Sequence, residues 1–93
     1  MESNKPLKQP SKLYLSAHQC SSHNKRQIAV SQMCGCFSCE RIFGASEVTN
    51  FINERGGEST ALCPYCDTDA VIGDASDYPI TKEFLKEMNQ KWF

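Results

Sequence analysis

Two residues separate Cys36 from Cys39 and Cys63 from Cys66, and 23 residues lie between the two pairs. A two-residue gap lets both thiolates of one turn face a single ion, and two such turns supply the four ligands of a tetrahedral metal site. The pattern predicts a site for Zn2+ made by Cys36, Cys39, Cys63 and Cys66. With four thiolates on one ion no position stays open for water, so the expected role is structural and the chain is not expected to be an enzyme.

Two other chemistries use similar residues. The string Cys63, Pro64, Tyr65, Cys66 matches the glutaredoxin active-site tetrapeptide, whose first cysteine is activated at a helix N-terminus. Here Asp67, Thr68, Asp69 and Gly73 follow instead of a helix-forming run, and nearby carboxylates raise a thiol pKa. A zinc deaminase would need HxE and PCxxC. Neither His18 nor His23 has a glutamate two positions on, and Pro64 follows Cys63 instead of preceding it.

A further group of soft ligands, His18, Cys20, His23 and Cys34, precedes the first pair at gaps that match no regular ligand spacing. It leaves open a second metal site, and a competition in which Cys34 replaces Cys36 as ligand. The plainer reading makes Cys20 a small buried residue and the histidines surface groups.

The elements that must position these residues can be read from local pattern. Leu13 to Leu15 suits a short strand, and His23 to Gln32, free of glycine and proline, suits a short helix. After Cys39, Glu40 to Phe43 reads as a strand ended by Gly44. Ser46 can cap a helix of about two turns in which Val48, Phe51 and Ile52 form one stripe, with Gly56 and Gly57 ending it. The second cysteine pair lies between Thr60–Leu62 and Ala70–Gly73, which predicts a β-hairpin with the metal turn at its tip. Thr81 is expected to cap the last helix, Ile80 to staple onto Leu85, and Phe84, Leu85, Met88 and Trp92 to form its buried stripe.

The 93 residues bound a small core that a metal cross-link would help to fold. Residues 1–11, polar and proline-bearing, are expected to be a flexible tail, and residues 12–93 a single zinc-stabilised domain. No apolar stretch in the opening segment has the length of a signal peptide or membrane span, so a cytoplasmic chain with reduced thiols and no membrane partner is expected. Charge is uneven. Residues 1–45 carry six basic against two acidic residues, a net of plus four, and residues 46–93 four against nine, a net of minus five. An acidic half beside the metal site is a poor surface for phosphate.

The paired turns, the second of them CPxC, resemble a zinc-ribbon or rubredoxin-like knuckle site over about residues 36–72. Asp67 stands where glycine usually follows the second turn, and aspartate tolerates a left-handed backbone better than most residues. The stretch from Cys34 to Phe93, with CGCFSC, TALCPYC, VIGDAS, YPIT and the closing WF, also resembles a group of small uncharacterised bacterial cytoplasmic proteins. That resemblance implies zinc and a cytoplasmic setting.

The expected architecture is therefore a small α+β fold: a zinc-ribbon-like hairpin, a short inserted helix between the cysteine pairs, and an amphipathic C-terminal helix. The expected function is a non-enzymatic zinc-stabilised protein-interaction module, with Trp92 and Phe93 as aromatic types enriched at interfaces. One alternative is nucleic-acid binding through the basic N-terminal half, with Lys5, Lys8, Lys12, Lys25 and Arg26 on phosphates. Another is a thiol redox sensor in which Cys34 or Cys20 oxidises and perturbs the zinc. Partner identity and oligomeric state are not encoded in any local pattern.

Overall fold

A computed structural model describes residues 16–53 and 57–93. The tail at residues 1–11 and the strand expected at Leu13 to Leu15 lie outside the described residues. A helical turn, α1, occupies residues 16–19, and a second short helix, α2, follows at Lys25–Ala29. Strands β1 (Met33–Cys36) and β2 (Ile42–Gly44) form an antiparallel hairpin with the first cysteine pair at its turn. Strand β3 (Phe51–Ile52) pairs with β4 (Thr60–Ala61) as a separate two-stranded sheet. Strand β5 (Val71–Gly73) returns to β1, giving a three-stranded antiparallel sheet in the order β2-β1-β5. The last helix, α3, spans Lys82–Trp92.

The central position of β1 explains its composition. Cys34, Gly35 and Cys36 are all buried, as are Val71, Ile72 and Gly73 on the neighbouring strand, so both strands carry small or β-branched apolar residues without polar alternation. Helix α3 covers this sheet. The Thr81 hydroxyl accepts the Phe84 N–H at 3.1 Å and fixes the helix start. Phe84, Leu85 and Met88 then lie buried on one face, Leu85 and Ile80 both closing over Gly35. Ile80 and Leu85, the expected staple pair, thus anchor α3 to β1, while Thr81 caps the helix.

Helix α2 is shorter than the sequence suggests. Beyond Val30 the backbone N–H groups of Gln32 and Met33 donate to the Asp74 carboxylate, 3.0 and 3.2 Å away, which turns the chain into β1. Asn24, at the head of α2, joins the two sheets. Its amide donates to the Val71 carbonyl at 2.8 Å and accepts the Ala61 N–H at 3.0 Å. Gln27 accepts the Gly73 N–H at 2.9 Å, so side chains of α2 satisfy the outer edge of β5.

Two expectations are corrected. No helix lies between the cysteine pairs among the described residues: Ala45–Glu47 is a single 3-10 turn and Phe51–Ile52 is strand. Val48, Thr49 and Ile52 are β-branched and weak helix formers, and a two-turn helix has little stability of its own. Pairing with β4, and the bond from Leu62 N–H to Asn50 C=O at 3.0 Å, decide the conformation instead. Likewise, the strands flanking the second cysteine pair do not form a hairpin with each other. β4 pairs with β3 and β5 with β1, so the hairpin carrying a metal turn is β1-β2, around the first pair.

Candidate metal centre

Each cysteine pair sits in a turn built to one plan. In the first, the Glu40 N–H donates to the Cys36 carbonyl at 2.7 Å and the Cys36 N–H to the Arg41 carbonyl at 3.0 Å. In the second, the Asp67 N–H donates to the Cys63 carbonyl at 2.9 Å and the Cys63 N–H to the Thr68 carbonyl at 3.0 Å. The residue after each closing cysteine is left-handed, Glu40 at φ 64° and Asp67 at φ 63°. Aspartate therefore fills the usual glycine position, and glutamate fills its counterpart in the first turn. The second of these was legible by laying Cys36–Arg41 over Cys63–Thr68.

The two turns meet with all four sulfurs within 4.8 Å of one another. Cys36 Sγ lies 3.7 Å from Cys66 Sγ, and Cys39 Sγ lies 3.7 Å from Cys63 Sγ. The edge of a tetrahedron of thiolates around an ion at the usual zinc–sulfur distance is about 3.8 Å. A disulfide would bring sulfurs to about 2.05 Å. All four are free thiols, and their separations suit a common ion.

Backbone donors prepare the site for negative charge. The Ser38 N–H points to Cys36 Sγ and the Tyr65 N–H to Cys63 Sγ, each at 3.3 Å, which offsets part of the charge of a thiolate centre. In the absence of an ion, burial pushes the Cys36 and Cys63 thiols up, against the pull of those N–H groups. Cys66 is exposed. What burial it has raises its pKa, but the Thr68 hydroxyl and N–H and the neighbouring thiols bring it down to about 7.

Neighbouring elements hold both turns in place. Asn89 of α3 donates to the carbonyls of Phe37 and Ser38 at 3.0 and 2.9 Å, docking the helix on the first turn. Tyr65 in the second turn hydrogen-bonds to Glu47, packs against Phe43 and lies under Arg41. Neither Asn89 nor Glu47 carries a sequence signal for this role, because each acts across the fold.

The structure does not gather the N-terminal group. Among the described residues the only cluster with metal-binding geometry is Cys36, Cys39, Cys63 and Cys66. His18 packs against Trp92 with the rings tilted and their centroids 4.2 Å apart, and the His23 N–H donates to the Thr60 hydroxyl. Cys20 is half-buried beside α2, its carbonyl accepting from Asn24. Cys34 is sealed in β1 between Phe43 and Gly73, and burial, then the Asp74 charge, pushes its thiol up to about 12. Cys36 and not Cys34 is the β1 cysteine that joins the cluster.

The structure thus brings four cysteines within metal-binding distance in a small α+β fold that, among the described residues, has three helices and antiparallel strands. The chain matches no family model, no curated protein and no solved structure. Among the described residues no helix is long and apolar enough to cross a membrane.

Proposed function

We propose that the chain is a non-enzymatic module whose fold is stabilised by one Zn2+ held by Cys36, Cys39, Cys63 and Cys66, and that it works by presenting a surface to another protein. The observation that carries the metal reading is the pair of 3.7 Å sulfur separations across the two turns. Four thiolates close the coordination shell, so the ion's contribution is to folding free energy. It joins the β1-β2 hairpin to the segment that runs from β4, in the two-stranded sheet, to β5, in the three-stranded one.

Several features speak against a glutaredoxin-like attacking role for Cys63. Cys63, the counterpart of an attacking glutaredoxin cysteine, is 1% exposed, and residues 64–66 form a turn that leads to strand β5. An activated thiol needs access and a lowered pKa; burial gives Cys63 the reverse. The aromatic residues Trp92 and Phe93 support the partner surface. Phe93, 65% exposed and packed on one side against Phe37, is a large apolar group beside the metal turn, whereas Trp92 is half-buried against His18.

Elemental analysis and native mass spectrometry of protein purified without added metal test the reading. One zinc per chain is expected, with a marked drop in thermal midpoint on chelation and a comparable loss for Cys63→Ser. Absence of bound metal together with a melt unchanged by chelator would overturn it. Removal of Phe93 from protein that still folds and binds zinc should weaken partner capture in a pull-down; an unchanged partner set would place the interface elsewhere.

A further inference from the structure

The four cysteines are unequal in access. Cys36 and Cys63 are 0% and 1% exposed, Cys39 is half-buried, and Cys66 alone is open to solvent. Cys66 Sγ lies 3.7 Å from Cys36 Sγ on the other turn, and it also interacts with its own turn partner, Cys63. Cys36 sits in the central strand β1, so this contact spans the junction that the ion closes.

We propose that the metal centre is peroxide-responsive: a hydroperoxide oxidises exposed Cys66, Cys36 resolves it, and the resulting Cys36–Cys66 disulfide replaces the ion as the link between the two turns. The inference rests on the zinc reading above and adds its regulation. In the first step Cys66 Sγ attacks one peroxide oxygen; an S–O bond forms, the O–O bond breaks, and the other oxygen leaves, after taking a proton, as water from hydrogen peroxide or as the alcohol from an organic hydroperoxide. In the second, Cys36 Sγ attacks Cys66 Sγ; the S–S bond forms, the S–O bond breaks, and hydroxide leaves as water on protonation. Two thiolates together supply two electrons to the peroxide, and the zinc leaves as Zn2+, unchanged in oxidation state.

Geometry favours this pair over the alternatives. The sulfurs must close from 3.7 Å to about 2.05 Å, a movement that Cys66, at the exposed end of a turn, can supply. Cys34 and Cys20 are poorly placed to take part: the first is sealed in the sheet and the second lies outside the cluster. Cys39 and Cys63 are equally close to each other but less accessible, which makes them the second pair to oxidise.

The test uses zinc-loaded full-length protein, with metal content measured first. Hydrogen peroxide is added, zinc release is followed with a chromogenic metal indicator, and disulfides are mapped by non-reducing peptide mass spectrometry. The expected result is one zinc released for two thiols lost, a first disulfide joining Cys36 to Cys66, and recovery of binding after dithiothreitol and added zinc. The double variant Cys20→Ser, Cys34→Ala should release zinc at the wild-type rate. Zinc retained while peroxide is consumed, or a first disulfide within Cys63–Cys66 or at Cys34 or Cys20, overturns the inference while leaving the zinc reading intact. A chain that binds no zinc before oxidation overturns both.

Discussion

Gly35 lies so close under Leu85 that a Cβ at position 35 would stand 2.8 Å from Leu85 Cδ1 and 3.2 Å from Ile80 Cγ2. Strand β1 carries Cys36 immediately beyond this glycine, so the seat of helix α3 and the position of one metal-turn cysteine are set by the same close approach. Gly35→Ala is expected to cost about 1–3 kcal/mol by overpacking a site where Leu85 is fully buried. Denaturant unfolding of Gly35→Ala, Leu85→Val and the double variant measures it. The double variant should recover part of the loss, and strict additivity would refute the contact.

The left-handed turn residues give a prediction of opposite sign. Glu40 and Asp67 have φ of 64° and 63°, a conformation that costs an L-residue roughly 1–2 kcal/mol, less for aspartate. Glycine removes that cost and brings an entropic penalty of roughly 0.5–1 kcal/mol. Glu40→Gly should therefore raise the thermal midpoint of the zinc-loaded protein, and Asp67→Gly should change it less. β-branched Glu40→Val should lower it. A destabilised Glu40→Gly would show that the glutamate side chain contributes more than its backbone strain costs.

Asn24 supports the joint between the sheets. Substitution to leucine would leave the Ala61 N–H and the Val71 carbonyl without their partner in an interior where Asn24 is 3% exposed. Each buried unsatisfied group costs about 1–3 kcal/mol, so a loss of at least about 2 kcal/mol is expected in urea unfolding. Hydrogen exchange should speed up at Ala61 and at the β5 edge before it does in α3. Uniform acceleration across the chain would instead mean that the two sheets open as one unit.

Some of this was legible in the sequence and some was not, for reasons that differ by element. The cysteine cluster could be read because ligand spacing is a local property of a turn, and α3 because Thr81 and an eleven-residue amphipathic run leave one reading. The segment around Val48 to Ile52 misleads because a buried Val48 followed by a strand reproduces, over so short a window, the spacing of one helical face. Strand pairing misleads for another reason. Thr60 to Leu62 and Ala70 to Gly73 look like the arms of one hairpin, but Ala61 pairs with Phe51, which precedes it, and Val71 pairs with Cys36 in the distant strand β1. The roles of Asn24, Asn89 and Glu47 are likewise set by residues between 18 and 52 positions distant.

Alkaline stability should report on Cys34. Its thiol is raised from 9.0 to about 12, first by burial and then by the Asp74 charge. The folded state holds this proton more tightly than the unfolded chain, so the associated stability is complete below about pH 9 and is lost as pH rises toward about 12. Cys34→Ala should flatten the fall in stability over that window, whatever it costs at neutral pH through lost packing. Alkylation of the folded protein at pH 8 should leave Cys34 unlabelled until denaturant is added. An alkaline limb identical in the variant would assign the loss to other groups.

Acid should act on the metal centre in the opposite direction. Ligation requires thiolates, whereas burial holds the Cys36 and Cys63 thiols protonated when no ion is bound. Loading the site must displace those protons, so zinc affinity is expected to fall as pH falls, with a steep dependence reflecting up to about four protons released per ion. Asn89→Ala gives a way to separate site from fold. Its amide holds the Phe37 and Ser38 carbonyls, so the variant should release zinc at a higher pH than the wild type even where both proteins remain folded by circular dichroism. Indicator-monitored acid titration in parallel with the dichroism measures the difference. Coincident release curves would show that α3 supports the fold without holding the first metal turn in its binding geometry.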